Sequence, residues 1–337
     1  MSITSALHGM KSVIFSKLFV TLPIPEATPG ITEQIFIVTG ANGGLGFESS
    51  LHLSRLGVGK LIMAVRTLAK GEEAKKRILD ITHQPSTTIE VWPLDMDSYD
   101  SVKAFATRAS TALPRLNGVL ANAGVMSTKW NLSESHEKML NINVVSTFLL
   151  YLLLLPKMRE SGKETGQLCR FVIPNSALHN MAPLAELDPD KDSRIIDRLN
   201  DEKTANMSGR YPLSKLLVLY TVRELAKRCS ATGKGDCIIN TPNPSFCKSN
   251  LSHESADSRA FKMFEKALAR SAEEGSRVLV HGLLAGKETS GQYLSNCQIE
   301  IPKDHVTIKW GQRVQKKFVD ELLEELNSIQ PGVTSII

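Results

Sequence analysis

Short, uniformly apolar runs alternate with longer stretches whose apolar residues recur at helical spacing. IFIV (35–38), KLIMAV (60–65), a segment through Val91 and Trp92, LNGVLANAG (116–124), CRFVI (169–173), DCIINTP (236–242) and GQYLSN (291–296) predict strands. Runs this short and this apolar suit strands covered on both faces. Helical patterns follow the glycine-rich turn at 40–46, span Ser135–Lys157 and start at Tyr211 in YPLSKLLVLYTVRELAKR. Two more lie in RVLVHGLLAG (277–286) and in the amphipathic VQKKFVDELLEELNSI (314–329), which docks the C-terminus with a solvated charged face. The longest apolar run, Val144–Leu155, is too short for an ordinary membrane span and reads as a helix buried beside a sheet.

Composition narrows the class. A chain of 337 residues that is 42% hydrophobic can build one large domain or two smaller ones. With charged residues at 22%, global disorder is excluded. The net charge of +5 favours an anionic cofactor without marking a nucleic-acid binder, and no arginine-rich block or zinc-finger spacing supports one. Five dispersed cysteines without a CxxC pair argue against a disulfide framework and fit a reducing, cytoplasmic setting. Residues 1–33 are basic at first and then proline-rich. They read as an arm lying on the domain, or as an organellar or membrane-associating segment. The main domain is expected over 34–310, with a C-terminal helix and tail over 311–337.

The chemistry concentrates at strand ends. TGANGGLG (39–46) joins the first strand to a helix, and Gly40, Gly43, Gly44 and Gly46 keep side chains out of the turn. A phosphate can then approach backbone donors at the positive end of that helix. No GxxxxGK[ST] loop supports an ATPase. The second strand ends at Arg66, where an acidic residue would bind a ribose 2′-hydroxyl and an arginine suits a 2′-phosphate. Asp95 follows the third strand and serves either an adenine amino group or a helix cap. Asn122–Ala123–Gly124 ends the fourth strand, as a close-approach segment or a tight turn.

Asn143 interrupts an apolar helix and needs partners there, or supports an ordered water beside Lys215. Ser176 lies just beyond a strand, placed either to hydrogen-bond an oxyanion or to cap a turn. His179 raises the idea of Ser–His hydrolysis, but no GxSxG elbow is present. Tyr211 and Lys215, at i and i+4, share one helix face. An ammonium near a phenol favours the phenolate and lowers its pKa, so the pair is expected to form a proton-transfer device.

The ordered set TGANGGLG, Asp95, NAG (122–124), Asn143, Ser176 and YPLSK (211–215) resembles the short-chain dehydrogenase/reductase family over residues 34–300. It is most similar to the larger retinol-dehydrogenase-like and fungal secondary-metabolite members. The resemblance implies an α/β fold: a single-domain, Rossmann-like, doubly wound parallel sheet with helices on both faces and a small helical substrate lid. It implies NADP(H) as cofactor. Tyr211 would donate a proton to the substrate oxygen, Ser176 polarise it, Lys215 lower the tyrosine pKa and bind the nicotinamide ribose, and Asn143 hold a water. The implied cofactor contacts are Gly40, Asn42, Gly44, Leu45, Gly46, Arg66, Asp95, Met96, Asn122, Ala123, Gly124, Tyr211, Lys215, Pro244 and Ser249. Leu178, His179 and Phe264 are the substrate-side candidates.

One segment departs from the family pattern. PSFCKS (244–249) stands where a PGxxxT-like stretch is usual, so Ser245 replaces glycine and Ser249 replaces threonine. Insertions at 178–210 and 249–275 shape the substrate side, and SRAFKMFEKALARSAEEG (258–275) reads as a lid helix. The leading expectation is reduction of a largely apolar aldehyde or ketone by NADPH. Oxidation of an alcohol with NADP, retinol-like, is the nearest alternative; a cofactor-bound isomerase, cyclase or interaction protein is a third. No nucleic acid, no metal and no membrane span are expected, and the chain is either a monomer or a homodimer.

Overall fold

The computed structural model describes residues 20–235, 237–247, 269–302 and 304–337. Seven strands form where the short apolar runs predict them: β1 (Ile35–Thr39), β2 (Lys60–Val65), β3 (Ile89–Pro93), β4 (Gly118–Leu120), β5 (Cys169–Val172), β6 (Cys237–Asn243) and β7 (Tyr293–Ser295). A short β8 (Gln298–Ile299) adds an antiparallel edge. The sheet order is β8-β7-β6-β5-β4-β1-β2-β3, and every pairing except β7–β8 is parallel. The order reverses between β1 and β4, which opens a crevice at the strands' carboxyl ends.

Alternate residues of the strands feed two cores, as the two-residue period requires. Ile35, Ile37, Ile62, Ala64, Val119 and Phe171 point to one face. There they meet α3 (Tyr99–Ala112), α4 (Lys138–Thr165) and α5 (Met207–Ala231). Phe36, Val38, Leu61, Met63, Leu120 and Val172 point to the other. There they meet α1 (Gly44–Arg55), α2 (Leu68–Thr82) and α6 (Ala272–Leu284). The sheet is therefore doubly wound, with helices on both faces.

Two helix starts differ from expectation. Residues from Leu132 to Glu137 form a small hairpin, and α4 begins only at Lys138. The Glu137 carboxylate caps it, accepting from the Met139 and Leu140 amides at 2.9 and 3.1 Å. α4 is long and apolar enough to cross a membrane, yet 89% of its most apolar window is packed inside the protein. α5 begins a turn before Tyr211, at Met207, because the Asn206 side chain caps it by accepting from the Gly209 amide.

The last helix, α7 (Lys309–Ile329), buries Val314, Phe318, Leu322 and Leu326, a stripe at four-residue spacing, and packs along α5. Its Glu321 accepts from the Ile196 amide at the start of a short helix, Ile195–Leu199, inside the 178–210 insertion. That insertion is also held by Arg210, which is buried one residue before Tyr211. Its guanidinium reaches Glu186 at 2.9 Å and Glu137 at 3.7 Å. At the other end of the chain, the carbonyls of Val20 and Leu22 accept from Arg270 and Arg277.

Candidate active site

The glycine-rich turn leaves β1 with Gly40 at φ +64°, a left-handed position that disfavours a side chain. Gly46, in the first turn of α1, is under a different constraint: a Cβ there would lie 2.4 Å from the Gly40 carbonyl oxygen. The N-cap of α1 is Gly43, which offers no side-chain acceptor to the first amides of the helix. These donors therefore stay available for an anion. Asn42 is exposed and Leu45 half-buried beside this turn. Asn122 ties the turn to β4: its amide donates to the carbonyls of Thr39 at 3.0 Å and Gly40 at 3.4 Å. The Ala123 amide donates to Thr39 Oγ1 at 2.9 Å. Close approach continues at Gly124, where a Cβ would meet Asn143 Oδ1 at 3.1 Å.

Arg66 is exposed just past β2, and none of the described residues hydrogen-bonds it. Asp95 does not cap α3; Ser98 does, accepting from the Ser101 amide. Asp95 instead folds its own loop, accepting from the Asp97 amide at 3.0 Å while its amide donates to Ser101 Oγ. The Met96 side chain is buried in the core. Burial alone would raise the Asp97 pKa, but hydrogen bonds from Lys138 and Ser133 and the charges of Lys138 and Arg66 hold it low.

The structure brings Asn143, Ser176, Tyr211 and Lys215 to the carboxyl end of the sheet. Asn143 lies in a π-helical stretch, Asn141–Ser146, inside α4. Such a bulge turns a side chain out of register, often at functional sites. Asn143 is 3% exposed. It pins the loop after Gly124, accepting from the Val125 amide and donating to the Val125 carbonyl, both at 2.9 Å. It also donates to Ser214 Oγ at 3.2 Å, and Ser214 donates to the Tyr211 carbonyl. Lys215 donates to the Pro174 carbonyl at 2.8 Å, which ties α5 to the segment leading into Ser176. Ser176 opens a short helical turn, Ala177–Met181, that packs along α5. Its hydroxyl oxygen accepts from the Leu178 amide at 3.2 Å, so its hydrogen is free to point elsewhere.

One expectation is reversed. Lys215 Nζ sits 5.5 Å from the Tyr211 ring centroid, yet burial dominates both groups. Burial raises the Tyr211 pKa above the ordinary phenol value and lowers that of Lys215 to about 8. The lysine does not pull the tyrosine down in this arrangement. The Tyr211 hydroxyl has no hydrogen-bond partner among the described residues.

The substrate-side candidates separate. Leu178 is 40% exposed beside Ser176. His179 points the opposite way, 1% exposed against Tyr293, so a direct substrate contact is replaced by a core position. Pro244 is buried behind the loop that follows β6. Ser245 holds φ +68°, the conformation glycine would adopt freely. Ser249, Phe264 and most of the expected lid, including Phe261, Met263 and Leu268, lie outside the described residues.

Three contributors were not singled out from sequence. Thr39 Oγ1 receives the Ala123 amide, and Ser214 bridges Asn143 to the Tyr211 carbonyl. Asn175 accepts from the Ser176 amide and donates to Thr241 Oγ1, locking β5 to β6 below the serine. Ser214 carried a signal, since a helical serine back-bonds to the preceding turn. The other two depend on strand pairing and carried none.

The chain and its fold are matched by known proteins. The sequence profile described as short chain dehydrogenase matches residues 34–170. The chain is 40% identical over 324 residues to the short chain dehydrogenase/reductase dmxR8 of Cryptosporiopsis sp. (strain 8999), covering 96% of this chain and 98% of that one. It is 43% identical over 289 residues to the short chain dehydrogenase atnD of Emericella nidulans, covering 84% and 90%. Among solved structures, a short chain dehydrogenase from Escherichia coli CFT073 complexed with NADPH shares the fold. It superposes at a TM-score of 0.57 with 20% identity, over 78% of this chain and 96% of that one. A Shigella flexneri short chain dehydrogenase complexed with NADP superposes at 0.55 with 20% identity, over 78% and 96%. The chain belongs to the short-chain dehydrogenase/reductase family of oxidoreductases, which use a nicotinamide cofactor.

Proposed function

We propose that this protein reduces an aldehyde or ketone, a largely apolar small molecule or secondary-metabolite intermediate, with NADPH. The observation that carries the reading is the half-buried phenol of Tyr211, whose hydroxyl no described residue hydrogen-bonds. Burial keeps the proton on that phenol, ready for an oxygen that gains an electron pair during reduction. The Ser176 hydroxyl, its oxygen engaged by the Leu178 amide, has its hydrogen left to polarise the carbonyl. Lys215, anchored on Pro174, holds α5 against the serine segment and keeps two further N–H donors for a ribose.

The residues present fit a dinucleotide. Gly43 leaves the α1 amides uncapped, and no Cβ fits at Gly46. Nicotinamide, when bound, supplies the hydride. The preference for NADPH over NADH rests on Arg66, exposed at the end of β2 and hydrogen-bonded by none of the described residues, and agrees with the NADP and NADPH complexes of the structural neighbours.

The test has two arms. Equilibrium binding of NADPH and NADH is measured for wild type and R66A; equal wild-type affinities would remove the cofactor preference. Carbonyl reduction is then screened over medium-chain aldehydes, aryl ketones and quinones by loss of NADPH absorbance. Y211F is expected to bind NADPH normally and lose at least about a hundredfold in single-turnover reduction. An unchanged rate would reject Tyr211 as proton donor.

A further inference from the structure

We propose that His179 is a positioning residue for Ser176: its Nδ1–H holds the Ser176 carbonyl and so fixes the turn from which the serine hydroxyl reaches the substrate oxygen. The proposal rests on the carbonyl-reductase reading above. Both nitrogens of the residue that face the turn converge on one acceptor. The His179 backbone amide donates to the Ser176 carbonyl at 3.0 Å, and ring Nδ1 stands 2.9 Å from the same oxygen. A carbonyl can only accept, so Nδ1 carries the hydrogen. The neutral ring then has a bare Nε2, and that atom is buried with no hydrogen-bond partner among the described residues. Burial drives the ring pKa down to about 4, so the tautomer persists across the physiological range.

A leucine would fill this apolar slot without orphaning an acceptor. The histidine carries that cost, and the bond to Ser176 is what it gains in return. The ring is clamped edge-on against Tyr293 of β7, with centroids 4.8 Å apart. Tyr293 lies beside the side chain of Asn243, whose Oδ1 accepts from the Ser245 amide. The serine turn is thus referenced to the same strand ends that carry the loop after β6. Ser176 Oγ is aimed by the Leu178 amide within that turn, so loosening the turn loosens the hydroxyl.

Two substitutions of similar polarity separate this role from mere packing. Asparagine places an amide nitrogen where Nδ1 stands, whereas glutamine places one nearer Nε2. The full-length H179N and H179Q proteins are compared with wild type and Y211F. The assay is single-turnover reduction at saturating NADPH of the panel carbonyl that wild type reduces fastest. H179Q is expected to lose about tenfold or more while NADPH affinity stays within about twofold, and H179N to recover most of the rate. Equal rates in H179N and H179Q, or a parallel loss of NADPH affinity, would overturn the proposal. If Y211F is inactive and H179Q is at the wild-type rate, the inference fails and the reductase reading stands. If Y211F is fully active, or no panel carbonyl is reduced, amide hydrogen exchange at Leu178 decides. Faster exchange in H179Q than in H179N supports the positioning role, and the same exchange in both overturns it.

Discussion

Two turns face the same end of the sheet and solve the same geometric problem in different ways. The turn after β1 places Gly40 at φ +64° and Gly44 at +53°, both at residues without a Cβ. The turn after β6 places Ser245 at +68°, where a side chain costs about 1–2 kcal/mol. The first turn is therefore relaxed and written into its own residues. The second is held in place by its surroundings. Ser245 donates its amide to Asn243, Cys247 donates to the Pro244 carbonyl, and the Arg270 amide donates to the Phe246 carbonyl. Strain of this kind persists only where neighbours over-determine it, and it gathers at functional sites.

Breaking the relaxed turn should have the largest effect. In G46A the new Cβ would lie 2.4 Å from the Gly40 carbonyl oxygen, a backbone atom that no rotamer can move aside. Urea unfolding is expected to show a loss of about 2–4 kcal/mol, with NADPH binding abolished. A G46A protein as stable as wild type would show that the turn can relax after all. Removing the tie to β4 comes next. N122A deletes the donor to the Thr39 and Gly40 carbonyls and should cost about 1–3 kcal/mol, with weaker NADPH binding.

The strained turn should respond in the opposite sense. S245G is expected to raise stability by about 1 kcal/mol, because glycine accepts the observed φ without a steric cost. If S245G is less stable than wild type, the serine side chain makes a contact that outweighs the strain. The smallest effect concerns Lys215. Its folded-state pKa of about 8 lies below that of the unfolded chain, so the native state releases its proton first as pH rises. The unfolded state then holds more protons, and stability must rise with pH above about 8. Relative to K215M, wild type should gain under about 1 kcal/mol between about pH 7 and 8.5. A wild-type advantage that shrinks over this range would contradict the burial of the ammonium.

Much of this was legible in the chain because it depends on neighbours in sequence. Strands β1 to β7 follow from short apolar runs, and the Tyr211–Lys215 pairing follows from helical spacing. Ser245 stands out only against the family pattern, which places a glycine there; its φ of +68° gives the physical reason. The start of α4 was misread because the residues before Lys138 pair as a hairpin, and Glu137 caps the helix from a position with no periodic signal. The π-helical stretch that carries Asn143 likewise leaves no mark in an apolar pattern.

Local residues by themselves determined the alternation of strands and helices, the glycine-rich turn after β1 and the shared face of Tyr211 and Lys215. Each of these requires only φ, ψ and the spacing of adjacent positions. Tertiary structure alone decided the direction of the pKa shifts and the aim of the side chains. It raised the Tyr211 pKa against the expected pull of Lys215, turned His179 away from solvent and onto the Ser176 carbonyl, and spent the Asn143 amide on Val125 and Ser214. The reason is physical: desolvation and hydrogen bonding sum over every group that surrounds an atom, and most of those groups come from distant parts of the chain.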